Sequence, residues 1–204
     1  MLDGWARRRI DPALNGIARQ LVRIGATPNA ITIASCLIGL AAAGAIASGY
    51  LIAGLVLLLI SRLGDGLDGA VAKITGSTDF GGFLDIVLDF VFYGAIPLGF
   101  VLLDPAANSI AGVVLIFSFY VNGASFLAYA VMAEKRGETT DARGAKSLFF
   151  TTGLAEATET ILFFVAFCLF PGWFAVLAYA FAAITLYTAL SRIVLAAITF
   201  RDKS

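Results

Sequence analysis

Four carboxylates, Asp65, Asp68, Asp85 and Asp89, stand close together in this chain between two strongly apolar segments, Leu51 to Leu63 and Phe90 to Leu103. A carboxylate at the centre of a membrane helix costs about 2.5–3.5 kcal/mol on insertion scales, so four of them near one membrane face imply a site. Asp65 and Asp68 are three residues apart and Asp85 and Asp89 four apart, which puts each pair on one face of its helix. If the two helices form a hairpin, the pairs converge. Ionised together they repel, and either protonation or hard cations relieve the repulsion. The donors are all oxygen, the chain has no His and no Cys lies close by, so the set points to Mg²⁺, Mn²⁺ or Ca²⁺ rather than zinc or copper. Two such ions about 3.5–4 Å apart can bridge a diphosphate, neutralise charge on a leaving phosphate and orient an attacking oxygen. A carboxylate not committed to metal can take the proton of an attacking hydroxyl. The residues suggest phosphoryl chemistry. The bland alternative, acids that only pair with Arg62 or Lys73, sets two cations against four acids and leaves the balance unmet.

The elements that must position these acids are membrane helices. The chain has 204 residues, 60% of them hydrophobic, and a mean hydropathy of +0.92, against about 45–50% apolar content in soluble domains. We read one membrane domain over residues 1–204, divided into a juxtamembrane segment (1–26) and a bundle of six transmembrane helices (27–204), all-α throughout. In the first segment Asp11-Pro12 is a good helix start, and Ile10, Leu14, Ile17 and Leu21 recur at helical spacing with Arg19 and Arg23 off that line. Such an amphipathic helix lies in the membrane surface with its basic face toward anionic head groups. Thr27-Pro28 starts the first span, which runs from Ala30 to about Ser48; the others cover about 51–72, 81–103, 109–133, 147–170 and 173–200. The polar stretch from Ile74 to Phe80 reverses the chain between the second and third, and Pro97 marks a kink in the third. Cys36 and Cys168 lie in apolar runs and read as small buried hydrophobes.

Charge supports this division. All 14 Lys and Arg fall on, or near, the side that faces the cytoplasm when the N-terminus is cytoplasmic, and the three outer connections contain none. Both termini and the aspartates are then expected at the cytoplasmic face, where nucleotide-activated substrates are found. Net charge is zero and no nucleic-acid partner is expected.

Asp65-x-x-Asp68-Gly69-x-x-Ala72-Lys73, followed after seven residues by Gly81-x-x-x-Asp85-x-x-x-Asp89, resembles the signature of the CDP-alcohol phosphotransferases, membrane enzymes of phospholipid biosynthesis. The whole chain is similar in length and helix pattern to a bacterial inner-membrane branch of that family. It departs twice: Lys73 stands where Arg is usual, and seven residues rather than eight precede Gly81. Lysine is a point charge and lacks the bidentate fork of arginine. The resemblance implies that Asp65, Asp68 and Asp85 bind two divalent cations, Mg²⁺ or Mn²⁺ with Ca²⁺ as another occupant. Asp89 is then the general base, with metal contact, and Asp65, Gly69, Ala72, Lys73 and Gly81 line the CDP site. A hydroxyl attacks the phosphorus on the alcohol side of the diphosphate and CMP leaves. The donor is a CDP-alcohol, CDP-diacylglycerol foremost, the acceptor is a second alcohol, at least one of them is a membrane lipid, and the family implies a homodimer.

A second unusual pair, Glu156 and Glu159, lies three residues apart in the fifth span. We read these as lining an acceptor pocket that favours a hydroxyl-rich or amine-bearing head group, and Arg143 and Lys146 as binding a phosphate on lipid or acceptor. The plainer readings are helix pairing for the glutamates and a topology signal for the cations. Two other functions compete: an ion-coupled transporter using the acids as a cation site, and a CDP-lipid-binding relative without activity. The first lacks the second copy of the Asp-rich segment that internal repeats often supply; Lys73 is the hint toward the second.

Overall fold

The computed structural model describes residues 3–136 and 157–200, with side chains from residue 12 onward. Among them the elements are α1 (Asp3–Arg23), α2 (Pro28–Ala47), α3 (Leu51–Thr75), α4 (Asp79–Leu103), α5 (Pro105–Lys135), α6 (Ala157–Leu169), a single 3₁₀ turn (Pro171–Trp173) and α7 (Phe174–Thr199). The all-α expectation holds for these residues.

The helix boundaries follow from local chemistry. The Thr27 hydroxyl accepts from the Ala30 amide at 3.3 Å with Pro28 in the first helical position, and Asp104 accepts from Ala107 at 3.1 Å ahead of Pro105. Between α3 and α4 the chain turns through Gly76, whose φ of +99° suits glycine and few other residues. Thr78 then caps α4 by accepting from Gly81 at 3.0 Å. The reversal expected between Ile74 and Phe80 is thus built by one glycine and one cap. α4 continues as a helix through Pro97, which is buried.

Among the described residues, four helical stretches are long and apolar enough to cross a membrane: Pro28–Ala47, Asp79–Leu103, Pro105–Lys135 and Pro171–Thr199. α3, at 25 residues, has the length, since about 20 residues at 1.5 Å each span a hydrocarbon core. Its second half carries Arg62, Asp65, Asp68 and Lys73, and its composition is correspondingly less apolar. Within the fifth expected span the described helix is 13 residues, Ala157–Leu169.

α2 packs against both α3 and α4, and α5 against α4 and α7. The core is aromatic: Phe92, Phe100, Phe164, Phe167, Phe174 and Phe181 are fully buried, with Phe100 stacked on Phe174 at 4.9 Å between ring centres. Leu37, Leu59, Val87, Leu102 and Ile110 face outward, the polarity expected of a surface solvated by lipid chains. Both cysteines are buried and unbridged, as read from the sequence.

α1 departs from expectation. It begins at Asp3, two turns before Asp11-Pro12, and Pro12 lies inside it. Proline removes one amide donor in mid-helix, and the run before it, Ala6 to Arg9, consists of strong helix formers that extend the helix back past it. The packed line also shifts. Ala18 is fully buried with Leu14, Leu21 and Val22 against Ala70 and Val71 of α3, while Ile17 is exposed. α1 is docked on the helix that carries Asp65 and Asp68, and Arg19 and Arg23 are exposed.

Close approach between α2 and α4 is set by Gly39. A Cβ there would stand 2.5 Å from Phe92 Cδ2 and 2.9 Å from Ser61 Oγ, and Phe92 is fixed against Phe164. We expect Gly39→Ala to destabilise the bundle by about 1–3 kcal/mol through overpacking, read as a lowered midpoint of thermal unfolding in detergent.

Candidate active site

The end of α3 and the start of α4 bring the motif acids together. Carboxylate oxygens of Asp65, Asp68 and Asp85 lie within 4.8 Å of one another. α3 supplies the first two at the three-residue spacing and α4 the third, so the hairpin at Gly76 converts separation in sequence into contact. Asp89 is not one of these three but stands beside them, against Asp65. One turn further into α4, its Oδ1 accepts from Arg62 Nη1 at 2.8 Å, and the same nitrogen lies 3.4 Å from Asp65 Oδ1. Among the described residues no cation reaches within 4.0 Å of Asp68 or Asp85.

Asp68 is the most enclosed of the three, 6% exposed. Its Oδ2 accepts from the Thr32 hydroxyl of α2 at 2.6 Å. Thr32 Oγ1 is also 3.0 Å from the Pro28 carbonyl, but it has one proton, and the shorter bond to a carboxylate is the stronger. Nothing in the sequence flagged Thr32, because a threonine four residues into an apolar helix reads as an ordinary back-bonding hydroxyl.

A cavity of about 340 Å³ opens beside Asp68 and Asp85. Its walls come from the start of α2 (Thr27, Pro28, Asn29 and Thr32), from Gly69 and Ala72 of α3, and from Gly76, Ser77, Thr78, Gly81 and Gly82 around the turn into α4. Three of the residues assigned to the nucleotide, Gly69, Ala72 and Gly81, therefore line it. A Cβ at Gly69 would meet nothing within 4 Å, so any larger residue there would occupy space now open to a ligand. Lys73 is exposed and Asp65 lies off the wall. Asn29, which the sequence did not single out, has its Oδ1 3.0 Å from the position of a Cβ on Gly81.

The donor chemistry fits a divalent cation. Three carboxylates this close carry mutual repulsion that a hard cation with oxygen ligands relieves, and Thr32 supplies the outer hydrogen bond that orients one of them. Because an outer-shell partner is worth about 10–100-fold in metal affinity, Thr32→Val is expected to weaken Mn²⁺ binding by that factor in a titration of the purified protein, with the fold unchanged.

Of the second group of candidate residues, Glu156, Arg143 and Lys146 lie outside the described residues. Glu159 sits in the first turn of α6, half-buried.

Comparison with known proteins points one way. A family model described as CDP-alcohol phosphatidyltransferase matches residues 25–195. The inner membrane protein YnjF of Escherichia coli K12 is 45% identical over 193 residues, 95% of this chain and 94% of that protein. An archaetidylinositol phosphate synthase of Methanothermobacter thermautotrophicus is 43% identical over 94 residues, 46% of this chain and 45% of its own length. Among solved structures, the Mycobacterium tuberculosis phosphatidylinositol phosphate synthase with CDP-DAG bound superposes with a TM-score of 0.75 at 24% identity, covering 94% of this chain and 98% of that one. The same enzyme in complex with manganese and citrate gives 0.71 at 25% identity, covering 88% and 87%.

Proposed function

We propose that this chain, which belongs to the CDP-alcohol phosphatidyltransferase family, transfers a phosphatidyl or other substituted phosphoryl group from a CDP-alcohol to an alcohol acceptor and releases CMP, with CDP-diacylglycerol the foremost donor. That it is a phosphotransferase of phospholipid biosynthesis and a membrane protein follows from the family and the apolar helices. The observation that carries the finer reading is the trio Asp65, Asp68 and Asp85, with oxygens within 4.8 Å, beside a cavity walled by the motif residues Gly69, Ala72 and Gly81.

In this reading Asp65, Asp68 and Asp85, with metal contact from Asp89, would hold two divalent cations, Mg²⁺ or Mn²⁺, with Ca²⁺ as another occupant, a class supported by the manganese in the mycobacterial enzyme. Such ions neutralise the charge that grows on the leaving phosphate. The protein's own residues do the rest. Gly69 and Gly81 leave room at the wall for the diphosphate, as the open space at Gly69 supports. Thr32 fixes one carboxylate, and Lys73 meets the nucleotide from the rim as a single charge. Asp89, outside the trio, takes the acceptor's proton as its oxygen forms the new bond to phosphorus and the phosphorus–oxygen bond to CMP breaks. CDP-DAG, the ligand of the fold neighbour, supports the lipid as donor. Glu156, Glu159, Arg143 and Lys146 remain the proposed acceptor and phosphate pocket.

The proposed topology keeps six spans in one membrane domain over residues 1–204, counting α3 and the segment ending in α6, with both termini and the site cytoplasmic; the distribution of Lys and Arg supports it, and an inner-membrane relative supports the compartment. The homodimer is part of the same proposal.

The deciding experiment is CMP release by purified protein in lipid nanodiscs with Mg²⁺ or Mn²⁺, using CDP-diacylglycerol and CDP-choline as donors against a panel of alcohols. Metal-dependent release that needs one particular alcohol supports the proposal and names the acceptor. Binding of CDP without release by any pair overturns it in favour of a non-catalytic binder, and cation flux in vesicles without CDP binding overturns it in favour of transport.

A further inference from the structure

We propose that α1 is a wedge that sets the gap between α2 and α3 behind the cavity, with Ala18 as the positioning residue: how closely α1 seats decides where Asp68 stands against Thr32, and with it the binding of cation and nucleotide. The proposal rests on the phosphotransferase reading, in which this cavity takes the CDP-alcohol, and it gives a task to a helix outside the motif.

The wedge has a small core of its own. Ala18, Ala70 and Val71 are buried together, with Leu14 and Leu21 of α1 and Ile31 of α2 packed around them, apart from the aromatic core of the bundle. Ala18 and Val71 are fully buried. The contact reaches into the motif, since a Cβ at Gly66, between Asp65 and Asp68, would stand 3.0 Å from Leu14 Cδ1. One turn of α3 therefore has two faces. Asp68, Gly69 and Ala72 line the cavity, while Ala70 and Val71 meet α1. α2 is divided in the same way: Ile31 lies one residue, and about 100° of helix rotation, from Thr32, whose hydroxyl donates to Asp68 at 2.6 Å.

The chain itself ties α1 to the facing wall. Gly25, at φ +80°, donates to the Val22 carbonyl at 3.0 Å and Ala26 to the Leu21 carbonyl at 3.0 Å, the paired bonds with which a glycine stops a helix. The next residue, Thr27, is already in the cavity wall. α1 is thus held to α2 by a tight turn and lies along the back of the α3 turn that carries Asp68. A helix serving only to coat the membrane surface would need no small residue at its contact, yet here the larger Ile17 and Ile24 are exposed and an alanine is buried. Small residues are what let helices approach this closely. A longer side chain at position 18 has no open space to enter, so it must push α3 and α2 apart.

The test compares the full-length parent with Ala18→Leu and Ala18→Leu/Val71→Ala in nanodiscs, read by Mn²⁺ titration, CDP binding and thermal unfolding. Ala18→Leu is expected to weaken both Mn²⁺ and CDP binding by about 10-fold or more, the lower end for losing an outer-shell partner such as Thr32. Val71→Ala gives back the volume, so the double variant should recover most of both affinities. Ala18→Val is a smaller push and serves where Ala18→Leu does not fold. A lowered unfolding midpoint with both affinities at the parent's values would make α1 packing and nothing more. Affinities that Val71→Ala does not recover would place the fault away from the gap. Either result overturns the proposal. A parent that binds Mn²⁺ and CDP but releases no CMP overturns the transferase reading alone, because the affinities still report the gap; a parent that binds neither overturns both.

Discussion

Asp68→Asn is expected to abolish CMP release, by about 10³-fold in kcat or more, the upper range for removing one preorganised electrostatic group from a transition state. Asparagine keeps the shape of the side chain and still accepts the hydrogen bond that Thr32 now gives at 2.6 Å, so the fold around it is retained. What goes is one of three charges whose oxygens lie within 4.8 Å of one another. Asp68 is the member of the trio that touches the cavity from α3, as Asp85 touches it from α4. With two carboxylates left, the site has lost a third of the trio's charge and one oxygen donor group, and Mn²⁺ titration should show binding lost along with turnover. Asp68→Glu separates charge from position: the charge stays and the oxygens move by one methylene, for which a loss of about 10²-fold is expected. A chelator should bring the parent protein to the level of Asp68→Asn, and added Mn²⁺ should restore the parent alone. Turnover of Asp68→Asn at a tenth of the parent rate or above would remove the trio from the mechanism.

How far the site could be read in advance depended on whether the signal was local. Caps and breakers are local, so Thr27-Pro28, Asp104-Pro105 and the reversal after Ile74 stand where they were expected, with Gly76 and Thr78 supplying the turn. Carboxylates in an apolar setting are also conspicuous, which is why Asp65, Asp68, Asp85 and Asp89 were legible as a set of four, three of which the structure groups within 4.8 Å. Thr32 was not, since its partner lies 36 residues away and only the packing of α2 against α3 brings it to Asp68. The pairing of Asp89 with Arg62 was hidden for the same reason, since the two lie 27 residues apart on neighbouring helices. In α1 the apolar line was nearly right but its register was not. A buried alanine, Ala18, lets α1 approach α3 closely, and Ile17, the larger side chain, faces away. Size at an interface, rather than hydrophobicity alone, chose the face.

Asp89→Asn is the second large effect, and its pattern should differ from that of Asp68→Asn. Removing a general base lowers turnover by about 10²–10⁴-fold, and asparagine cannot accept the acceptor hydroxyl's proton. Its Oδ1 can still accept from Arg62 at the distance of 2.8 Å now held by the carboxylate, so Arg62 keeps its place over Phe92 and the helices keep their packing. The trio of Asp65, Asp68 and Asp85 is untouched, so Mn²⁺ affinity and the donor KM are expected to change far less than kcat, which falls. A loss confined to kcat marks an interaction made in the chemical step rather than in binding. The comparison between the two variants carries more than either alone. If Asp68→Asn loses metal and turnover together while Asp89→Asn loses turnover only, the four motif acids divide three to one. If Asp89→Asn loses Mn²⁺ as fully as Asp68→Asn, Asp89 is a fourth ligand, the base must be sought elsewhere, and the Arg62 pair is the arrangement of a site before metal enters.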